Sequence, residues 1–222
     1  YVPDTYNYAI SQYALSTPFD PTTATLDYSY SADTNTRVLG IFWKPDGTEM
    51  FHVRDGAFYL ESNTLSTPWD LSTATGSGIT IPDPTPASES YFYGLYVPPD
   101  GTKMFLTGID DNMVYQYSMS IPWDVTTVSF VREYNTSNPD PTGVTFSSDG
   151  NIMYISDAYG NIVIYQLYSP WNITGATVIN DVVTPLANDA TGITILSDTT
   201  LFQADVVGNS VIEYVLNGTA NT

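Results

Sequence analysis

His52 is the single histidine of the chain, so a Ser-His-Asp triad or a multi-histidine metal site would have to be built around it. It alternates with Met50 and Arg54 in a β-rich stretch, which reads as a structural or surface histidine on a strand. Cysteine is absent, which removes thiolate nucleophiles and thiolate metal sites and leaves the compartment unmarked. Carboxylates are abundant, and Asp110 with Asp111, Glu61 with Asp55, or Asp140 with Asp189 have the residue types that a glycosidase acid–base pair needs. Asp140 and Asp189 each stand three residues before a glycine, an offset that Arg37 and Tyr91 occupy elsewhere. Two readings compete there: turn capping, or a cation site at one rim. No phosphate-binding loop or helix-borne metal motif occurs, and no cofactor is expected.

Trp69, Trp123 and Trp171 each follow a proline and precede Asp or Asn, and Phe19 heads an earlier copy of the same loop. Exposed indoles stack on sugar rings; aromatics recurring at one position beside proline seal seams between repeated sheets. The regular recurrence favours the seam. Asn135, Asn172 and Asn217 open Asn-x-Ser/Thr patterns, candidate glycan acceptors whose other reading is ordinary turn polarity.

The chain carries 24 acidic against five basic residues, a formal charge of −19, and this field repels nucleic-acid phosphates. Nucleic acid is excluded as a partner. No run approaches eighteen apolar residues, so membrane insertion through a helix is not expected. The opening Tyr1-Val2-Pro3 lacks a Met or a leader, and the expectation is a soluble, processed or trimmed chain.

These side chains are positioned by an internal repeat. Gly40-Ile41-Phe42, Gly94-Leu95-Tyr96, Gly143-Val144-Thr145 and Gly192-Ile193-Thr194 start equivalent segments 54, 49 and 49 residues apart, a period that signals repeat architecture. Six residues beyond each glycine lies Asp46, Asp100, Asp149 or Asp198, mostly within Pro/Ser-Asp-Gly, residues that make a tight turn. A second strand, a hairpin turn and a third strand follow, then the Pro-Trp-Asp loop and a more polar fourth strand. Four antiparallel strands repeated about an axis, with the polar strand outermost, predict an all-β propeller over residues 1–222 as a single domain. A β-sandwich is the structural competitor, though it does not require such regular spacing.

The pattern Gly-Ile-x-Phe-x-Pro-Asp-Gly-Thr-x-Met-Phe, at Gly40 to Phe51 and with substitutions at Gly94 to Phe105, resembles surface-layer and WD-type propeller repeats. With the Ser-Thr-Pro-Trp-Asp loop it resembles more specifically the extracellular propeller-repeat proteins of environmental bacteria and their phages. That resemblance implies a secreted, cell-surface or virion scaffold and no transferable catalytic residue.

Third-strand modules number one more than inner-strand modules; the extra copy runs from Tyr8 through Ile10, Gln12 and Tyr13 to Leu15. If four blades close, residues 19–30 complete the last blade, and residues 1–15 hold a spare strand for a neighbouring subunit. Five blades is the alternative count, and excision from a longer array a third possibility. The expected function is a non-enzymatic subunit of an extracellular filament, appendage or virion fibre, a homo-oligomer or helical polymer joined by strand addition. The alternative is a carbohydrate- or receptor-binding propeller.

Overall fold

The computed structural model describes residues 1–4, 7–18, 20–31, 36–54, 59–82, 91–136, 139–182, 190–205 and 210–216. Phe19, Asp55, Asp189 and Asn217 lie outside the described residues. The fold is all-β, a propeller of antiparallel blades, and five sheets are present among the described residues.

The first sheet contains β1 (Val2–Asp4), β2 (Ala9–Leu15) and β3 (Ala24–Ser31) in that order. The second has β4 (Val38–Trp43), β5 (Glu49–Arg54), β6 (Tyr59–Leu65) and β7 (Ala74–Thr80). The third holds β8 (Phe92–Tyr96), β9 (Lys103–Gly108), β10 (Met113–Met119) and β11 (Val128–Asn135). The fourth holds β12 (Pro141–Phe146), β13 (Ile152–Asp157), β14 (Ile162–Gln166) and β15 (Thr177–Val182), and the fifth β16 (Ala190–Ser197), β17 (Thr200–Asp205) and β18 (Ser210–Val215). Each connection within a sheet joins sequential strands, as the repeated tight turns require.

The spare-strand expectation needs correction. β2 is paired on both edges inside its own chain, with β1 through Val2↔Ser11 and with β3 through Leu15↔Ala24. Residues of β3 therefore complete the first sheet rather than the last. β1 escapes a pattern reading because it is three residues long and contains Pro3, which lacks a ladder donor and is tolerated at a sheet edge.

The sheets pack face to face along a recurring seam. Apolar residues on alternate positions of a third strand meet the other alternate set on the third strand of the next sheet. Ile10 packs with Leu65, Leu60 with Tyr117 and Met119, Val114 with Tyr165 and Leu167, and Ile162 with Tyr214 and Leu216. The middle sheets are buried on both faces for this reason. Inner strands approach at glycine: a Cβ on Gly40 would lie 2.0 Å from the Tyr93 carbonyl oxygen, and one on Gly94 2.8 Å from the Gly143 α-carbon. Any larger residue would push neighbouring blades apart.

Three of the four junctions between third and fourth strands carry a β-bulge, after Gln12, Gln116 and Ile164, whereas the β6–β7 register runs without a break. Bulges increase local twist and re-aim side chains. The second sheet thus differs locally from its neighbours. Among the described residues no helix is long and apolar enough to cross a membrane.

Candidate functional site

The Pro-Trp-Asp loops are built by backbone shape as much as by side chains. Trp69, Trp123 and Trp171 all have positive φ, 66°, 67° and 50°, a conformation rare for bulky residues. Their N–H groups donate to the carbonyls of Gly47, Gly101 and Gly150, each at 2.9 Å. This pins the indole over the glycine of its own sheet's Asp-Gly turn. A Cβ on Gly101 would lie 2.3 Å from Trp123 Nε1, and equivalent overlaps occur at Gly47 and Gly150. Asp124 then caps the Val125–Thr127 turn, accepting from the Thr126 N–H at 3.0 Å and from its hydroxyl at 2.5 Å. Asp70 and Asp20 repeat that cap through Ser72 and Thr22; in the fourth loop Asn172 accepts from the Thr174 N–H.

The indoles differ in what lies on their other side. Trp123 is half-buried and lies 6.5 Å from Phe42 and 6.3 Å from Phe51, both on the preceding sheet, with nearly parallel ring planes. Trp171 packs beside Tyr96 and Tyr134 of the preceding sheet. Trp69 packs on Trp43 of its own sheet at 5.2 Å and is 42% exposed.

His52 is fully buried. Asn63 Nδ2 lies 3.1 Å from its Nδ1, and Glu61 Oε2 lies 3.6 Å from its Nε2. Glu61 forms an ion pair with Arg54 at 2.9 Å, and the Tyr30 hydroxyl of the first sheet donates to Asn63 Oδ1 at 2.7 Å. Burial, reinforced by the Arg54 charge, lowers the imidazole pKa to about 3. The ring is neutral at physiological pH, accepts from Asn63 through Nδ1, and carries its proton on Nε2. The Tyr30 hydroxyl, bonded to Asn63 beside the buried ring, ties the first two sheets together at this seam.

The remaining candidates among the described residues do not converge on one centre. Asp110 and Asp111 share the turn between β9 and β10. Asp140 Oδ2 accepts the Tyr159 hydroxyl at 2.9 Å, and the Asp140 N–H donates to Asn112 Oδ1. Among the described residues no group of three or more His, Asp or Glu side chains is placed to hold a metal ion. Asn135 ends β11 and is exposed, whereas Asn172 Oδ1 accepts from Arg132 as well as from Thr174.

A different kind of site lies at the two end sheets. Tyr13 and Leu15 occupy the alternate positions that Tyr117 and Met119 bury at 0% and 4%, yet they are 41% and 42% exposed. Val211 holds the opposite alternate set on β18, where Ile162 and Val114 are buried, and it is 52% exposed. At Gly192 a Cβ would meet nothing within 4 Å, unlike its counterparts Gly40, Gly94 and Gly143. Tyr8, Ile10 and Gln12 do not share this open face. Ile10 and Gln12 look toward the second sheet, where Gln12 Oε1 accepts the Leu71 N–H at 2.9 Å. The first sheet therefore presents one half of the seam and the fifth sheet the other half. Sequence comparison of repeats lines up these positions; only burial reveals which lack a neighbour.

No family model matches the chain, and no curated protein matches its sequence. Solved structures do match. A protein of unknown function from Desulfotomaculum acetoxidans is 18% identical with a TM-score of 0.56, covering 99% of this chain and 62% of its own. A candidate 6-phosphogluconolactonase from Bacteroides uniformis is 14% identical at TM-score 0.56, covering 99% and 67%. Sqt1 from Chaetomium thermophilum is 14% identical at TM-score 0.55, covering 97% and 53%. The chain thus spans about 62% of the length of the first of these proteins. At such identities the likeness is one of fold alone, and the fold is the β-propeller.

Proposed function

We propose that the protein is a non-enzymatic structural subunit of an extracellular filament, surface appendage or virion fibre, joined head to tail with further copies. The observation that carries this reading is the pair of open end faces. Tyr13 and Leu15 on the first sheet offer the same half-seam that Tyr117 and Met119 offer to Leu60, and Val211 on the last sheet offers the receiving half. A contact between unlike ends of successive copies is heterologous, and with a rotation that does not close a ring it builds a filament. Exposed apolar positions of this kind mark association surfaces. Sheet-on-sheet docking replaces the exchange of β2, because both edges of β2 are occupied within the chain.

Among the described residues, the buried, neutral His52 and the dispersed carboxylates form no acid–base or nucleophilic centre for this reading to accommodate. Electron microscopy of the purified chain tests it: linear strings of propeller-sized units are expected, and isolated particles at all concentrations would overturn it. The second reading is a carbohydrate- or receptor-binding propeller, favoured by the exposed indole of Trp69. Glycan-array binding that disappears on Trp69→Ala would support it instead.

A further inference from the structure

Two of the seams between successive sheets are closed at their outer ends by a side chain reaching from one sheet to the loop of the next. Between the first and second sheets that side chain is Gln12, bonded to the Leu71 N–H. Between the third and fourth it is Arg132, whose Nη1 donates to Asn172 Oδ1 at 2.9 Å and to the Thr174 hydroxyl. Arg132 pairs across its sheet with Gln116.

Among the described residues the seam between the second and third sheets lacks this bridge. Register places Ser62 opposite Ser77 there, where the third sheet has Gln116 opposite Arg132. The unbroken β6–β7 register also removes the bulge that accompanies Arg132. A groove of about 360 Å³ remains, lined by Glu49, Ser62, Ile79, Trp123, Asp124 and Thr126 among others. Asp124 and Thr126 stand at the loop positions that Asn172 and Thr174 hold in the neighbouring seam.

The groove's charge is unbalanced in a specific direction. Glu49 Oε1 accepts from the Ser62 hydroxyl at 2.5 Å, and Asp124 adds a second carboxylate where the neighbouring seam has a neutral amide. Lys44 lines the groove but pairs with Asp46 at 3.2 Å. Burial raises the pKa of the Glu49 carboxyl against the Ser62 hydrogen bond and the Lys44 charge, which hold it down, and Asp124 adds a smaller push upward. A guanidinium relieves both: it is planar, always charged, and carries several donors for carboxylate and hydroxyl oxygens.

We infer that the groove between the second and third sheets is a binding site for a guanidinium group, an arginine side chain of a partner protein that fills the place Arg132 fills one seam further on. Trp123 forms one wall, beside which the stem of such a side chain lies.

The test uses the whole chain with Nα-acetyl-arginine amide as probe, read by the indole N–H resonance of Trp123. The site predicts a saturable shift, at least ten-fold weaker affinity for acetyl-citrulline amide, and at least ten-fold weakening by Asp124→Asn. Ser77→Arg, which supplies the guanidinium from within, should abolish the shift while the chain stays folded. Should Ser77→Arg not fold, Asp124→Asn and the citrulline analogue still decide. Absence of a Trp123 shift, equal affinity for arginine and citrulline, or a shift with monosaccharides alone would overturn the inference.

Discussion

The indole of Trp123 occupies the volume that any side chain on Gly101 would need, with Nε1 only 2.3 Å from the place of the missing Cβ. Both residues hold positive φ, +66° at Gly101 and 67° at Trp123. The turn and the loop are therefore one packed unit. Gly101→Ala should cost about 1–2 kcal/mol from backbone conformation alone, plus the displacement of the ring. In a Trp123→Ala background the displacement vanishes, so in a double-mutant cycle by denaturant unfolding the double variant should lose less stability than the two single losses added together. Additive losses would separate the two residues.

Trp123→Ala itself should cost about 3 kcal/mol, the low end for a large aromatic because the ring is half-buried. Asp124→Ala removes one turn cap and should cost about 1 kcal/mol. Denaturant midpoints of the two variants should keep that order; a larger loss at Asp124 would mean that the cap, rather than the indole, organises the loop.

Much of this was legible in the chain, and the limits are physical. The fifty-residue period, the Asp-Gly turns and the Pro-Trp-Asp loops depend on local residue chemistry, which sequence carries directly. The blade count was harder: Val2–Asp4 is too short and too proline-bearing to register as a strand, so five sheets appeared only as the alternative to four. The left-handed Trp conformation depends on a turn elsewhere in the same sheet, and the Tyr30–Asn63–His52 chain across a seam and the gap opposite Arg132's counterpart depend on how different repeats meet. No spacing rule encodes those.

Acidity should destabilise the seam between the first two sheets through His52. Its folded pKa, about 3, lies below the unfolded value of about 6.5. Between those values the unfolded chain binds the extra proton, so stability falls as pH drops from about 6.5 toward 3. His52→Gln should flatten that part of the pH–stability curve. An unchanged curve in the variant would assign the loss to carboxylates alone.

Salt should strengthen association. Each copy carries a net charge of −19, and long-range repulsion between copies opposes an apolar contact until counterions screen it. Sedimentation at about 0.5 M salt, where the screening length falls to a few ångströms, should show larger species than in dilute buffer. Association that weakens with salt would point to ion pairs rather than apolar faces.

Head-to-tail docking is tested most directly by mixing two variants that each spoil one end face, Tyr13→Glu on the first sheet and Val211→Glu on the last. Both sites are exposed in the single chain, so both variants should fold. Mass measured by multi-angle light scattering should show the unmodified chain growing with concentration beyond a dimer, and each variant alone should remain a monomer. An equimolar mixture should stop at the dimer, because one intact first-sheet face can meet one intact last-sheet face and nothing remains to extend it. An unmodified chain that stays monomeric throughout, or a mixture that polymerises as well as the unmodified chain, would contradict the account.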